Sequence, residues 1–530
     1  YIDGGRIYEL FAGGFDASQD TTYYGDVASV NLTITGGELG GHTPEGTPAA
    51  LAGTKSVYGG SYYGTVHGDV NVTVDGPATI TNLVGGGYAG TVEGAITLNL
   101  INGTATTVNA AGIGNSTAKG NVTVNLYDAF NATSIYGGKQ NGAGATVQGA
   151  STLAFVEEGV AYDVTDTLIQ GFDTISLASE AHVKVSLANN FAKDTQTGEL
   201  FVSGPGTLEV VGDQNQTGDV RDITLTDGAT MWFNVDFVGK GLSSHDDRPT
   251  LKATAGTTID LTGRPTTAGG SGICVWVDLA GHGVDGKGAL YKGLQGSATN
   301  RNGKVALPRV TLSDSASVNA EDNLYFIEAN NNESELFLNG HTLTKIGDNN
   351  LEIYNSTVKD NTNANAVVDG TIFVKEGTLG VGYNLRAAKT NIVLAEGTLL
   401  DILATSSTQA DIGALSGSGA AVLAHGLTIT TDNAGSYGAG ADFLDSTEKY
   451  NQFTADAGFG YAVYSGTMSG AGSLNVKGDG TQYLSGNESS YAGGTHLYDS
   501  ATLYLMGSTE GSMTKGSTTA SGGVVGTGAI

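Results

Sequence analysis

A 26-residue repeat is the feature that most constrains how this chain can fold. The segment SVYGGSYYGTVHGDVNVTVDG begins at Ser56, and NLVGGGYAGTVEGAITLNLING restates its pattern from Asn82, 26 residues later. Both segments carry a glycine pair, a tyrosine, Gly-Thr-Val and an alternating apolar run. Repeats of this length are typical of architectures in which each unit buries its apolar face against the next. We therefore expect stacked units rather than one central core.

Composition and repeat length together select the kind of stack. Glycine (83 of 530 residues) and β-branched residues dominate, and no 3.6-residue apolar period appears, so helical repeats are excluded. Propeller blades need about 40–45 residues, which is longer than this repeat. Two or three short strands with turns fit one coil, which hydrogen-bonds to the next about 4.8 Å away. We predict an all-β fold, a parallel β-solenoid with coils of about 25 residues.

The repeat also predicts which side chains lie above one another. Successive copies are expected to begin at Val57, Leu83, Asn109 and Ile135. The 26-residue shift predicts two inward ladders, Val70–Ile96–Val122 and Val72–Leu98–Val124. It also predicts that polar residues between them face water, at Asn71, Thr97 and Thr123. The glycine pairs are expected to permit tight stacking of coils and not to cradle phosphate.

Regularity changes along the chain and divides it into three sections. Residues 1–150 form the glycine-rich section with 26-residue repeats, and residues 151–401 keep the strand–turn rhythm without a strict period, which predicts an irregular β-helix. Residues 402–530 contain a second kind of strand repeat that continues the β-helix. An insertion from Glu38 to Lys55 interrupts the first section and is the best candidate for a protruding loop.

The charge balance restricts the partners of the chain. There are 24 Lys and Arg against 53 Asp and Glu, a formal net charge of −29. Such a surface repels phosphate, so nucleic acid is not expected as a partner, and anionic membrane surfaces are disfavoured. No segment approaches the roughly 18 consecutive apolar residues of a membrane helix, so we expect no direct membrane insertion. A single cysteine excludes an intrachain disulfide.

The last section resembles the signature repeat of bacterial autotransporter passenger domains. The family's GxGSL string matches Gly470–Leu474, its LSGN string matches Leu484–Asn487, and its Y-x-GGT string matches Tyr491–Thr495. Lys477–Gly480 carries the glycines at fixed offsets between the first two strings. A looser likeness extends from about Glu335. The resemblance is to autotransporter-associated β-strand repeat proteins with a pertactin-like stalk. It implies a right-handed parallel β-helix that is exported across an outer membrane and displayed on the cell surface.

This resemblance predicts a non-enzymatic adhesin or structural stalk. Its expected partners are host surfaces, extracellular glycans or other copies of the chain. The alternative is a secreted polysaccharide-degrading enzyme, a lyase or a glycoside hydrolase, because such enzymes share the fold. The paired Asp246 and Asp247 before a GHG string at Gly281–Gly283 resemble galacturonan hydrolases, in which two carboxylates serve as acid and base. The other strings of that family, NTD and R-x-K, are missing.

Three tyrosines form the candidate ligand-binding site. Tyr62 and Tyr63 follow one glycine pair and Tyr88 follows the next, and Tyr62 and Tyr88 differ by the repeat length. They should stack in neighbouring coils, where exposed rings beside bare backbone can stack on sugar rings. The alternative is an internal or turn-covering aromatic stack that stabilises the solenoid. We predict no catalytic residue, no metal-binding residue and no cofactor, although acidic turns leave calcium binding open.

Overall fold

A computed structural model shows an all-β fold in the residues that it describes. It describes residues 1–14, 26–40, 56–140, 144–186, 198–212, 222–234, 249–262, 274–294, 306–327, 333–359, 369–403, 409–431, 462–478, 480–484, 489–499 and 501–505. In these ranges the only helical element is a 3₁₀ turn at Val284–Gly286. The chain divides into two compact units, Tyr1–Pro249 (unit 1) and Thr250–Ile530 (unit 2). The candidate loop at Glu38–Lys55 lies outside the described residues from position 41 onward.

Unit 1 contains the first half of the strands. They are β1 (Ile2–Ile7), β2 (Leu10–Phe11), β3 (Val30–Leu39), β4 (Val57–Tyr58), β5 (Thr65–Val66), β6 (Val70–Val84), β7 (Thr91–Val92), β8 (Ile96–Asn109), β9 (Thr117–Ala118), β10 (Val122–Leu126), β11 (Phe130–Tyr136), β12 (Thr146–Val147), β13 (Ser151–Phe155), β14 (Ala161–Asp163), β15 (Leu168–Gln170), β16 (Thr174–Leu177), β17 (His182–Ser186), β18 (Leu200–Ser203), β19 (Thr207–Val211), β20 (Ile223–Thr226) and β21 (Thr230–Asn234).

Unit 2 contains the second half. The strands are β22 (Thr250–Ala253), β23 (Thr258–Asp260), β24 (Cys274–Gly281), β25 (Leu290–Lys292), β26 (Ala306–Ala320), β27 (Leu324–Phe326), β28 (Ser334–Phe337), β29 (Thr342–Ile346), β30 (Asn350–Lys359), β31 (Gly370–Val374), β32 (Thr378–Leu394), β33 (Leu399–Ile402), β34 (Gln409–Gly417), β35 (Ala420–Leu423), β36 (Gly426–Thr430), β37 (Ala462–Tyr464), β38 (Met468–Ser469), β39 (Leu474–Lys477), β40 (Thr481–Leu484), β41 (Thr495–Leu497) and β42 (Thr502–Leu505).

The strands of unit 1 pair in parallel from coil to coil. One ladder joins β3, β6, β8, β10 and β13. A second joins β4, β6, β8 and β11, and a third joins β5, β7, β9 and β12. The two halves of a long strand such as β6 serve two different ladders, so the chain turns a corner within the strand. The predicted parallel β-solenoid is confirmed, and its right hand stays a prediction from the family resemblance.

The 26-residue register places apolar side chains on apolar side chains, as predicted. Val70 pairs with Ile96 and Ile96 with Val122, and all three are buried. The same ladder places Leu98 between Val72 and Val124, also buried. The alternate residues Asn71, Thr97 and Thr123 lie on the outer side and are partly exposed. Each coil gains a buried interior only by stacking on its neighbours, which is why the repeat is needed.

One position in the predicted repeat is wrong. Leu83 pairs with Val108 and not with Asn109, and Val108 in turn pairs with Ile135. The register between β6 and β8 shifts at the corner around Asp75, so the second half of this coil is one residue shorter than the repeat predicts. The correction places a valine in the buried ladder, where a sequence count places an asparagine.

The described strands of unit 2 form three parallel ladders, one for each side of the coils. The first contains β24, β26, β28, β30, β32 and β34. The second contains β25, β26, β29, β31 and β32, and the third contains β27, β30, β32, β33 and β35. In the third ladder, Leu379, Leu400 and Ala421 are partners at steps of 21 residues. The division of the sequence at positions 150 and 401 stays a prediction.

Lys345 has the smallest exposure of the charged side chains that the structure describes in unit 2. Lys345 of β29 has Val318 and Val374 as partners in the neighbouring coils, and it is 0% exposed. Its ammonium group donates hydrogen bonds to the carbonyl oxygens of Gly347 and Glu376. Removal of the ammonium group from water disfavours its charged form, so the pKa of Lys345 falls to about 8.

We predict that shortening a ladder residue destabilises the chain. Leu98→Ala should lower the free energy of unfolding by about 2–5 kcal/mol, because it leaves a cavity between Val72 and Val124. Thr97→Ala, the adjacent outward position, is the matched control and should change it by less than about 0.5 kcal/mol. Urea unfolding measures both. Similar losses in the two variants would contradict the inward assignment of Leu98.

We also predict a pH dependence of stability that comes from Lys345. Its pKa is lower in the folded chain than the ordinary 10.5, so between pH 8 and 10.5 the unfolded chain binds more protons. The free energy of unfolding, relative to that of Lys345→Met, should therefore rise by about 2 kcal/mol from pH 8 to pH 10. Urea unfolding of both proteins at the two pH values measures this. A difference that stays constant with pH would show that Lys345 titrates normally.

Candidate functional site

Five aromatic rings from three successive coils meet in unit 1, and we call them the tyrosine cluster. Its members are Phe11, Tyr58, Tyr62, Tyr63 and Tyr88. The rings of Tyr62 and Tyr88 are stacked, with centroids 4.8 Å apart and an interplanar angle of 5°. Those of Phe11 and Tyr58 are stacked at 4.4 Å. Tyr62 also meets Tyr63 and Phe11 edge-on, at 4.6 and 5.2 Å. The predicted stacking of Tyr62 on Tyr88 is present.

The cluster has a buried side and a half-exposed side. Tyr58 is fully buried, whereas Tyr62, Tyr63 and Tyr88 are half-buried. Burial raises the pKa of Tyr58 to about 12 and also raises the pKa of Tyr62. Both groups are therefore neutral phenols at physiological pH. The half-exposed rings present an apolar surface with polar edges, which is the combination that aromatic binding sites use.

Backbone hydrogen bonds between coils hold these rings in place. Tyr62 donates its amide N–H to Gly14 O (3.1 Å), and Tyr88 donates to Ser61 O (3.2 Å). The glycine pairs that precede the tyrosines let the backbones approach this closely. A Cβ atom on Gly86 would lie 2.0 Å from Ala111 O, and one on Gly60 would lie 2.7 Å from the carbonyl carbon of Gly86. The glycine pairs serve coil stacking, as expected.

The ring column ends at Tyr88 because glycine occupies the same place in the next coil. Thr91 pairs with Thr117, so the equivalent of Tyr88 there is Gly114. A Cβ atom on Gly114 would lie 3.6 Å from Tyr88 Cδ1, and the φ of +65° is one that glycine adopts readily. In the following coil Gly144 lies against Gly114, with its Cβ position 2.8 Å from Gly114 N. Neither glycine contributes a side chain beside the ring of Tyr88.

The GHG string forms an anchored turn. His282 Nδ1 lies 2.6 Å from Ser317 Oγ, and Val284 donates its amide N–H to Thr258 Oγ1 at 2.9 Å. Lys287 forms an ion pair with Asp260 at 2.9 Å. These contacts attach the turn to the coils on either side. Asp246 and Asp247 lie outside the described residues.

The described parts of the chain also bear on metal binding and membrane insertion. Within them, no group of three or more His, Cys, Asp or Glu side chains is arranged to hold a metal ion. No helix in those parts is long and apolar enough to cross a bilayer.

Comparison with known proteins gives no relative for this chain. No protein-family model, curated protein or solved structure matches it. The autotransporter resemblance therefore depends on the quoted motifs alone.

The last of those motifs, Tyr491–Thr495, has a structural role in unit 2. Tyr491 is fully buried, and its hydroxyl is hydrogen-bonded to Thr495. Leu474 of the first motif pairs with Thr495, so the two motifs are separated by one coil of 21 residues. The motif tyrosine therefore belongs to the interior of its coil and not to a binding surface.

Two members of the tyrosine cluster were not predicted from the sequence. Phe11 and Tyr58 pair in neighbouring strands, β2 and β4, and each precedes a glycine pair or its degenerate copy in the strings LFAGG and VYGG. Alignment of these two strings would have indicated that the rings stack. The signal is weak because the insertion after Glu38 separates the copies and hides the common spacing.

We predict that the glycine pair tolerates no side chain. Gly86→Ala should lower the free energy of unfolding by about 2 kcal/mol or more, because its Cβ atom would collide with Ala111 O in the next coil. Gly4→Ala is the matched control, since a Cβ atom there meets nothing within 4 Å, and it should be near neutral. Thermal or urea unfolding measures both. Equal effects would contradict the stacking role of the glycine pair.

Proposed function

We propose that this chain is a non-enzymatic surface protein of a bacterium, a passenger-type adhesin or structural stalk that acts outside the cell. The parallel solenoid supports the proposal, because a coil that needs only its neighbours can extend without disulfides. The motifs at Gly470–Leu474 and Tyr491–Thr495 support export across an outer membrane. The net charge of −29 suits an exposed, soluble surface. Its partners are host surfaces, extracellular glycans or other copies of the chain.

The observation that carries the binding part of the proposal is the end of the ring column at Tyr88. Tyr88 is half-buried, its ring is stacked on that of Tyr62 at 4.8 Å, and Gly114 follows it in the next coil. A sugar ring has an apolar face of C–H groups that can stack on tyrosine, and hydroxyl groups that can bond to the surrounding polar atoms. We assign the stacking contact with the glycan to Tyr88 and the support of the Tyr88 ring to Tyr62. Tyr63 forms the neighbouring edge of the same site.

The enzymatic alternative has a direct test. A lyase or hydrolase of this fold would release unsaturated or reducing ends from polygalacturonate or another acidic glycan. We expect no release after prolonged incubation with the purified chain, with or without added Ca²⁺. Release that Asp246→Asn or Asp247→Asn abolishes would contradict the non-enzymatic proposal.

We predict that glycan binding depends on the ring of Tyr88. On a printed glycan array, the full chain should bind at least one saccharide class, and Tyr88→Ala should bind it about tenfold more weakly, the loss of one aromatic stacking contact. Tyr88→Phe keeps the ring and should bind within about threefold of the wild type. Tyr498→Ala removes an exposed tyrosine elsewhere and is the control for nonspecific effects. Absence of any binding, or equal binding by Tyr88→Ala, would contradict this assignment.

A further inference from the structure

A second group of aromatic and acidic side chains lies on the third ladder of unit 2. It occupies positions on β27, β30, β32 and β33, and we call it the Tyr354 ledge. Its members are Tyr325, Glu352, Tyr354, Tyr383 and Asp401. Unlike the tyrosine cluster, it lies in the section of the chain that has no fixed repeat, so sequence spacing does not reveal it.

Two tyrosines form the surface of the ledge. The rings of Tyr354 and Tyr383 are stacked with centroids 5.7 Å apart and an interplanar angle of 26°, and both are half-buried. Tyr383 has a φ of +68°, a backbone conformation that bulky residues rarely adopt. Such conformations persist where the surrounding structure holds them, and they cluster at functional sites. Here the unusual backbone accompanies the placement of the Tyr383 ring against Tyr354.

The ring of Tyr354 packs against two buried side chains and against a glycine of the next coil. Tyr325 and Ile327 are buried, and Tyr354 packs against them. In the next coil its partner is Gly382, where a Cβ atom would lie 2.5 Å from Tyr354 Cδ2 and 2.7 Å from Glu352 Oε1. Glycine is therefore required at this position for the ring and the carboxylate to lie over the backbone.

Two acidic residues occupy the column of the ladder beside the one that contains Tyr354. Glu352 pairs with Gly380, and Gly380 pairs with Asp401 in the coil beyond, so the two acids share one column of the ladder. Two coil steps separate their Cα atoms by about 9.6 Å. Asp401 is half-buried, and burial alone raises the pKa of its carboxyl.

We infer that the Tyr354 ledge binds a neutral saccharide, with a pyranose ring against Tyr354 and Tyr383 and its hydroxyl groups donating to Glu352 and Asp401. The stacked rings match the C–H face of a sugar, and carboxylate oxygens are strong acceptors for its hydroxyl groups. The same carboxylates repel uronic acids and sulfated or phosphorylated glycans. The inference takes its ligand class from the proposed function, and it adds a second site in unit 2 and a preference for uncharged sugars.

Affinity electrophoresis of the full chain tests the inference. Native gels would contain mixed-linkage β-glucan, galactomannan or arabinoxylan as neutral probes, and polygalacturonate as the acidic one. The Tyr88→Ala variant serves as the background, so that the tyrosine cluster does not contribute. At least one neutral polysaccharide should retard this variant, and polygalacturonate should not.

Variants of the ledge then identify the residues. Tyr383→Asn removes the ring and keeps a residue that tolerates positive φ, and it should weaken binding about tenfold. Asp401→Asn preserves shape and should weaken it about threefold or more, through loss of a charged acceptor. Tyr498→Ala is the matched control and should have no effect. Circular dichroism establishes that each variant is folded.

The outcomes separate this inference from the proposed function. Retardation that survives Tyr88→Ala and is lost on Tyr383→Asn supports the ledge. Retardation of the wild type that Tyr88→Ala abolishes leaves the proposed function standing and overturns the ledge. Equal retardation by polygalacturonate overturns the preference for neutral sugars. Absence of retardation of the wild type in every gel overturns the ledge, and the glycan array then decides the proposed function separately.

Discussion

Parallel hydrogen bonding between coils sets the register on which the rest of each unit depends. Once a strand pairs with its counterpart in the next coil, every side chain lies above its structural equivalent at the coil spacing of about 4.8 Å. Valine, isoleucine and leucine then form continuous buried ladders, as between Val72, Leu98 and Val124. The glycine pairs allow this spacing to be kept at the corners, because a single Cβ atom at Gly86 would force the backbones apart.

The same register produces the candidate binding surfaces. The coil register places Tyr88 above Tyr62, as it places the valines above one another. The column becomes a candidate site where glycine replaces the next tyrosine. At the Tyr354 ledge the order differs: the glycine at position 382 accommodates a ring from the previous coil, and Tyr383 beside it supplies the second ring. In both places a change of residue type along a ladder leaves aromatic surface half-exposed. Such surface is what the proposed glycan binding requires.

The sequence predicted those parts of the structure that depend on strict periodicity. The inward ladders and the stacking of Tyr62 on Tyr88 follow from the 26-residue shift alone. Asn109 was misplaced because a register shift at a corner shortens one coil, and no residue pattern marks it. The ledge was missed because its coils differ in length and because Tyr383 adopts a positive φ that sequence does not indicate for tyrosine. Function was predicted only by resemblance to a family, and it stays a proposal.

Fluorine NMR of the chain labelled with 3-fluorotyrosine tests the central claim most directly, because it reports whether a saccharide touches these rings. Individual Tyr→Phe variants assign the signals. We predict that a bound oligosaccharide shifts the signal of Tyr88 and leaves that of the fully buried Tyr58 nearly unchanged. A saccharide that binds while the signals of Tyr62, Tyr63, Tyr88, Tyr354 and Tyr383 all stay unchanged would contradict the account.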